Sequence, residues 1–125
     1  MILLDTSFLI RALVKGTPQD DMLRHWITNG ESLSMSSVAW TEFLCGPLQP
    51  KETRLVEQLI DQVVPFTTED AEVAAGLFNS SGRRRGSLMD CMVAASALRG
   101  DLPLATVNPA DFRRFEANGL RVLVA

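Results

Sequence analysis

Four apolar stretches of this 125-residue chain each carry a carboxylate or an amide: Asp5 in MILLDTS, Glu42 in TEFLCG, Asp90 in LMDCMVAASAL, and Asn108 with Asp111 in LATVNPADF. A carboxylate in such a setting has to be solvated, capped, paired or bound to a cation, because burying it alone is costly. Brought together, the four stretches would form an oxygen-rich cation site. Crowded carboxylates repel by about 4 kcal/mol per close pair at intermediate dielectric, and a divalent cation removes that cost. Hard oxygen ligands select Mg²⁺ or Mn²⁺ over zinc. The one histidine, His25, lies in an amphipathic stretch without a second ligand beside it and reads as a surface or structural residue.

Each of these residues also has a purely local reading. Asp is among the best helix N-caps, which would account for Asp5. Glu42 could be the solvated edge of a short helix. Ser87-Leu88-Met89-Asp90 has capping-box spacing, and Asn108-Pro109-Ala110-Asp111 has the same form with proline at the first helical position. Capping does not explain why an Asp closes an apolar first strand, nor why a Glu stands between Trp40 and Phe43.

The elements that must position these groups follow from periodicity and punctuation. Strands are expected at 1–4, 33–36, 63–66, 102–107 and 121–124, with Pro65 placing the third at a sheet edge. Helices are expected over 6–14, 19–28, 50–62 and 87–99, with another capped by Ser37 and running through residue 45. Thr68 opens a further helix with Glu69 and Asp70 in its first turn, and Asn108-Pro109 opens the last. Strands alternating with helices, without repeats or linkers, predict an α/β three-layer sandwich: a parallel sheet of about five strands with helices on both faces, forming one domain over residues 1–125. Ligands of such sheets bind beyond the carboxyl ends of the strands, where the strand order reverses. Asp5 follows the first strand directly and Asn108 the fourth, so adjacency of those strands would hang both side chains over one crevice.

An apolar fraction of 46% supports a real core. A net charge of −3 excludes a global basic field, so any nucleic-acid contact must come from local basic clusters or a bound metal. Cys45 and Cys91 both stand in apolar helical surroundings and predict reduced core thiols in a cytoplasmic protein. The opening MILL is broken by Asp5 and Arg11, unlike a signal peptide, and no apolar stretch approaches the ~20 residues that span a bilayer.

Taken together and in order, Asp5-Thr6-Ser7, Glu42 in Thr-Glu-Phe, Asp90 followed by Ala94-Ala95, and Leu104-Ala105-Thr106-Val107-Asn108 resemble the PIN-domain ribonucleases, and among them the VapC-type toxins of toxin–antitoxin pairs. The resemblance spans essentially the whole chain. It implies a Mg²⁺-dependent endoribonuclease, with Mn²⁺ as a substitute, in which Asp5, Glu42 and Asp90 are the near-constant acids. The family's fourth position, often Asp, is Asn108 here, and Asp111 is the candidate that restores its charge as a metal ligand. The resemblance makes Asn108 a catalytic position, and Thr6, Ser7 and Thr106 hydroxyls that orient the carboxylates. It further implies an RNA substrate, a cognate antitoxin and a homodimer, with some of Trp40, Phe43, Leu44, Leu55 and Leu59 facing a second copy.

The chemistry implied is metal-assisted phosphodiester hydrolysis, which needs no protein nucleophile. Arg83-Arg84-Arg85 form the one dense basic run and, with Arg113 and Arg114, are candidates for drawing RNA phosphates toward the acids. Two other readings compete. A PIN-like module that binds RNA or protein without cutting should have lost acids, yet Asp5, Glu42 and Asp90 remain. A phosphoacceptor receiver domain shares the architecture but normally has a carboxylate pair after its first strand and a late lysine. Here Asp5 stands alone, and the only lysines are Lys15 and Lys51.

Overall fold

The computed structural model describes all residues, 1–125. Its centre is the strand β1 (Ile2–Leu4), three apolar residues that are all buried. Successive strand side chains point to opposite faces, so burial of all three means that both faces are covered. The same holds for β2 (Leu33–Ser36), every residue of which is buried although two are serines. The Ser34 hydroxyl donates to the Ile2 carbonyl at 3.0 Å, which removes the cost of burying it.

Five parallel strands lie in the order β3-β2-β1-β4-β5, with β3 at Gln62–Val64, β4 at Leu104–Ala105 and β5 at Val122–Leu123. Six α-helices cover the sheet: α1 (Thr6–Ala12), α2 (Pro18–Thr28), α3 (Ser37–Leu44), α4 (Pro50–Leu59), α5 (Thr68–Ser80) and α6 (Leu88–Gly100). This is the expected three-layer α/β architecture, and β3 is an edge strand that stops before Pro65. The chain builds outward from β1 through β2 to β3, then crosses back to lay β4 against the other side of β1. The reversal therefore falls between β1 and β4, where Leu3 pairs with Leu104 and Leu4 with Ala105.

Helix boundaries follow local chemistry, with some departures from expectation. Ser36, one residue before the expected cap, caps α3 by accepting the Ala39 N–H at 3.0 Å, which leaves the Ser37 hydroxyl to accept from the Phe66 N–H at 2.9 Å. Thr67 and Asp70 close a capping box on α5. The expected final helix is instead two 3-10 segments, Pro109–Asp111 and Arg113–Asn118, ended by Gly119 at φ +100°. Phe112 and Phe115 are drawn into the core at a spacing of three, the period of a 3-10 turn. Cys91 is buried, whereas Cys45 is exposed beyond the end of α3 and so is not a core thiol. No helix is long and apolar enough to cross a membrane.

Candidate active site

Asp5 sits where β1 ends and α1 begins. Its backbone is still extended, and its N–H donates to the Ala105 carbonyl at 2.9 Å, locking it to β4. Asp5 is 7% exposed, and both of its carboxylate oxygens accept hydrogen bonds. Oδ1 accepts the Thr6 N–H at 3.0 Å; Oδ2 accepts the hydroxyls of Ser7 at 2.8 Å and Thr106 at 2.9 Å. Capping thus uses one oxygen of Asp5, and the other belongs to a network that crosses from β1 to β4. The Thr106 hydroxyl also accepts the Asn108 N–H at 3.0 Å, which binds the loop after β4 to the same point. Burial pushes the Asp5 pKa above its ordinary value, the Ser7 and Thr106 hydroxyls pull it back, and the charge of Glu42 raises it again.

Ser7 and Thr106 thus both donate to the Asp5 carboxylate. Thr6 does not do so through its hydroxyl, which donates to the Ala39 carbonyl at 2.9 Å. That bond ties the start of α1 to α3, one turn before Glu42, so Thr6 holds the helix that carries the second acid. Glu42 itself is exposed, and its carboxylate makes no hydrogen bond or ion pair.

Asp90 lies in the first turn of α6 and is not part of a capping box. Ser87 has helical dihedrals and its hydroxyl donates to the Arg84 carbonyl at 2.7 Å, so the expected Ser87–Asp90 exchange does not form. This frees the Asp90 carboxylate. Burial, the largest effect, and then the charges of Asp111 and Asp5 push its pKa up to about 6; Arg114 pulls it down and Glu42 adds to the rise. The second expected cap is also absent: the Asn108 side chain caps nothing and is exposed, while Asp111 is half-buried.

The charges of Asp111, Asp5 and Glu42 therefore all act on Asp90, and that of Glu42 also on Asp5, at the carboxyl ends of β1 and β4. Three of them, Glu42, Asp90 and Asp111, have carboxylates that accept no hydrogen bond and pair with no cation. That all-oxygen, unspent donor set fits a hard divalent ion. As the side chains stand, no three of them close on a single ion.

The expected basic residues separate in space. Arg83 is turned back on α5, hydrogen-bonded to Asn79 with its guanidinium carbon 5.3 Å from the centroid of the Phe78 ring. Arg84, Arg85 and Arg113 are exposed. Of Arg113 and Arg114, both candidates for drawing RNA phosphates, Arg114 is the one whose charge acts on Asp90. Asp111 and Arg114 lie three positions apart, at the end of one 3-10 segment and near the start of the next.

Removing the Thr106 hydroxyl has a direct consequence. Thr106→Val is expected to weaken Mn²⁺ binding roughly 10–100-fold, the usual effect of losing a group that orients a metal ligand, with Thr106→Ser close to the parent. Calorimetric titration with Mn²⁺ would measure both. Equal affinity in all three proteins would show that the Thr106–Asp5 bond does not orient a ligand.

The sequence matches the PIN domain family over residues 2–118, and the chain belongs to that family. Among solved structures it is similar to a chain of VapBC2 from Rickettsia felis bound to a promoter DNA fragment. The TM-score is 0.77 at 18% identity, over 100% of this chain and 99% of that one. It is also similar to a chain of a toxin–antitoxin complex from Klebsiella pneumoniae (TM-score 0.76, 22% identity, 98% and 96% covered). A third is DNA-bound VapBC from Salmonella typhimurium (TM-score 0.74, 20% identity, 99% and 98% covered). No curated protein matches the chain.

Proposed function

We propose that this protein is a divalent-metal-dependent endoribonuclease and the toxin of a toxin–antitoxin pair. The observation that carries the reading is the crevice of a PIN domain in which Asp5 is held by three donors while Glu42, Asp90 and Asp111 remain unspent. These four carboxylates would hold Mg²⁺ or Mn²⁺. The chemistry a bound divalent ion supplies is a more acidic water and stabilisation of charge on the scissile phosphate.

The chain's own part is positional. Ser7 and Thr106 hold the Asp5 carboxylate, and Thr6 ties α1 to α3, the helix that carries Glu42. Asp90, with a pKa of about 6, is predominantly ionised at neutral pH and becomes protonated in mild acid. Asn108 contributes its backbone N–H to Thr106, whereas the charge at the fourth corner is that of Asp111.

The assignment as a toxin rests on the likeness to toxin–antitoxin complexes. It is supported by exposed apolar residues at Ile10, Val14, Ile27, Leu44 and Leu55, which suit burial against an antitoxin or a second copy of the chain. Single-stranded RNA incubated with the purified protein should be cut in Mg²⁺ and left intact in chelator. Cleavage that persists in chelator would remove the metal from the reading. RNA binding without cleavage in either Mg²⁺ or Mn²⁺ would favour a non-cleaving RNA-binding module instead.

A further inference from the structure

Arg114 stands in the 3-10 segment Arg113–Asn118, with its guanidinium carbon 4.4 Å from the centroid of the Phe115 ring. Phe115 is itself in the core, so stacking on it holds the guanidinium in place beside the acids. None of its donors is used. Arg114 takes part in no ion pair, and Nε and Nη2 are covered by protein without an acceptor. Nη1 also makes no hydrogen bond but is not covered, and so faces solvent.

This sets Arg114 apart from the other arginines with fixed positions. Arg24 pairs with Asp20, Arg99 with Asp70 and Arg121 with Asp101, while Arg83 is bonded to Asn79. An arginine meant to neutralise the acid cluster would be paired with one of its members, yet no carboxylate lies within 4.0 Å of Arg114. Its donor capacity is unspent three residues after Asp111, where its charge acts on Asp90, among carboxylates that repel an approaching phosphodiester. The Nε–Nη2 edge of a guanidinium matches two oxygens in a plane, as phosphate presents them.

We propose that Arg114 is the phosphate clamp of the site, its guanidinium binding the non-bridging oxygens of an RNA phosphodiester beside Asp90 and Asp111. The clamp rests on the nuclease reading above and adds the residue that receives the substrate's charge. The anion meets Nη1 first, and rotation of the guanidinium over Phe115 then presents the covered Nε–Nη2 edge. Arg84, Arg85 and Arg113 have no such fixed orientation and contribute only diffuse attraction.

The test uses full-length protein carrying Asp5→Asn, so that RNA is bound but not cut, and a fluorescein-labelled single-stranded RNA followed by anisotropy from 50 to 200 mM salt. Adding Arg114→Gln should weaken binding on the order of tenfold and lower the slope of log affinity against log salt by about 0.7, the value of one phosphate contact on a single strand. Arg114→Lys should restore the slope while falling short of the parent affinity, since it keeps the charge and loses the fork. In the Asp5-containing protein, Mn²⁺ affinity should not fall on Arg114→Gln. Unaltered RNA affinity and slope in Arg114→Gln would overturn the clamp. So would loss of Mn²⁺ affinity with RNA binding intact, which would make Arg114 a positioning residue for Asp90. If Arg114→Gln fails to fold, Arg114→Lys decides, and a lysine variant with the parent's affinity as well as its slope overturns the clamp. A parent that binds no RNA at all overturns the nuclease reading with it, which distinguishes the two failures.

Discussion

Asp5→Asn is expected to lower Mg²⁺-dependent RNA cleavage by roughly 10³-fold, equivalent to about 4 kcal/mol of transition-state stabilisation, while leaving the fold intact. Asn is nearly isosteric with Asp, and the Ser7 and Thr106 hydroxyls can still donate to its amide oxygen, although the Thr6 N–H then loses its acceptor. What disappears is a buried negative charge. Because burial raises the Asp5 pKa, a neutral side chain removes a buried charge and offsets the lost Thr6 bond, so the melting temperature should change little as activity is lost. Asp90→Asn should behave in the same way. The fourth corner gives the sharper discrimination. Asp111→Asn is expected to be severely impaired, whereas Asn108→Ala, which keeps the backbone N–H that bonds Thr106, should retain activity to within about tenfold. Single-turnover cleavage assays on the four variants would measure this order. Wild-type rates in Asp5→Asn and Asp90→Asn would remove the crevice as the active site.

The metal-free protein should also become more stable as the pH is lowered from 7.5 to 5, an uncommon direction for an acidic domain. The folded-state pKa of Asp90 is about 6, above the ordinary 3.8, so the native state binds its proton more readily than the unfolded chain does. The contribution is fully present below the unfolded value and is lost as pH rises through about 6. Asp5 is shifted in the same direction. Asp20 and Glu69 are shifted downward, so their contributions are lost only in more acidic solution, as pH falls through their depressed folded values. Melting temperatures in chelator should therefore fall between pH 5 and 7, and Asp90→Asn should remove most of that slope. Saturating Mg²⁺ opposes the trend. It should stabilise the protein at pH 7.5, by about 2.7 kcal/mol at a hundredfold excess over Kd, and progressively less below pH 6 as protons compete for Asp90. A parent and an Asp90→Asn variant with superimposable melting curves across this range would show that Asp90 does not carry the shift.

The alternation of strands and helices was readable because each element announces itself locally. Ile2 to Leu4 is an unbroken apolar run, as a strand covered on both faces must be, and Pro50 opens a helix at its first turn. The last helix was misread because Asn108-Pro109 and the apolar spacing of Phe112 and Phe115 suit an α-helix and a 3-10 segment almost equally. Core packing of both phenylalanines selects the latter. The caps show the same limit. Ser87-x-x-Asp90 has the spacing of a capping box, but whether the exchange forms depends on the dihedrals of Ser87, which the loop before it sets.

Which residue types carry the chemistry is written in the chain: carboxylates within apolar segments have few stable fates, and hard oxygen donors point to a divalent cation before any coordinate is known. What the chain order could not convey is the assembly of those groups, since Asp5 and Thr106 are a hundred and one positions apart and meet at 2.9 Å only because β4 lies beside β1. Nor could it tell Arg114 from Arg113. Adjacent residues on a 3-10 segment point about a third of a turn apart, and only the packing of Phe115 into the core determines that Arg114 is the one set beside Asp90.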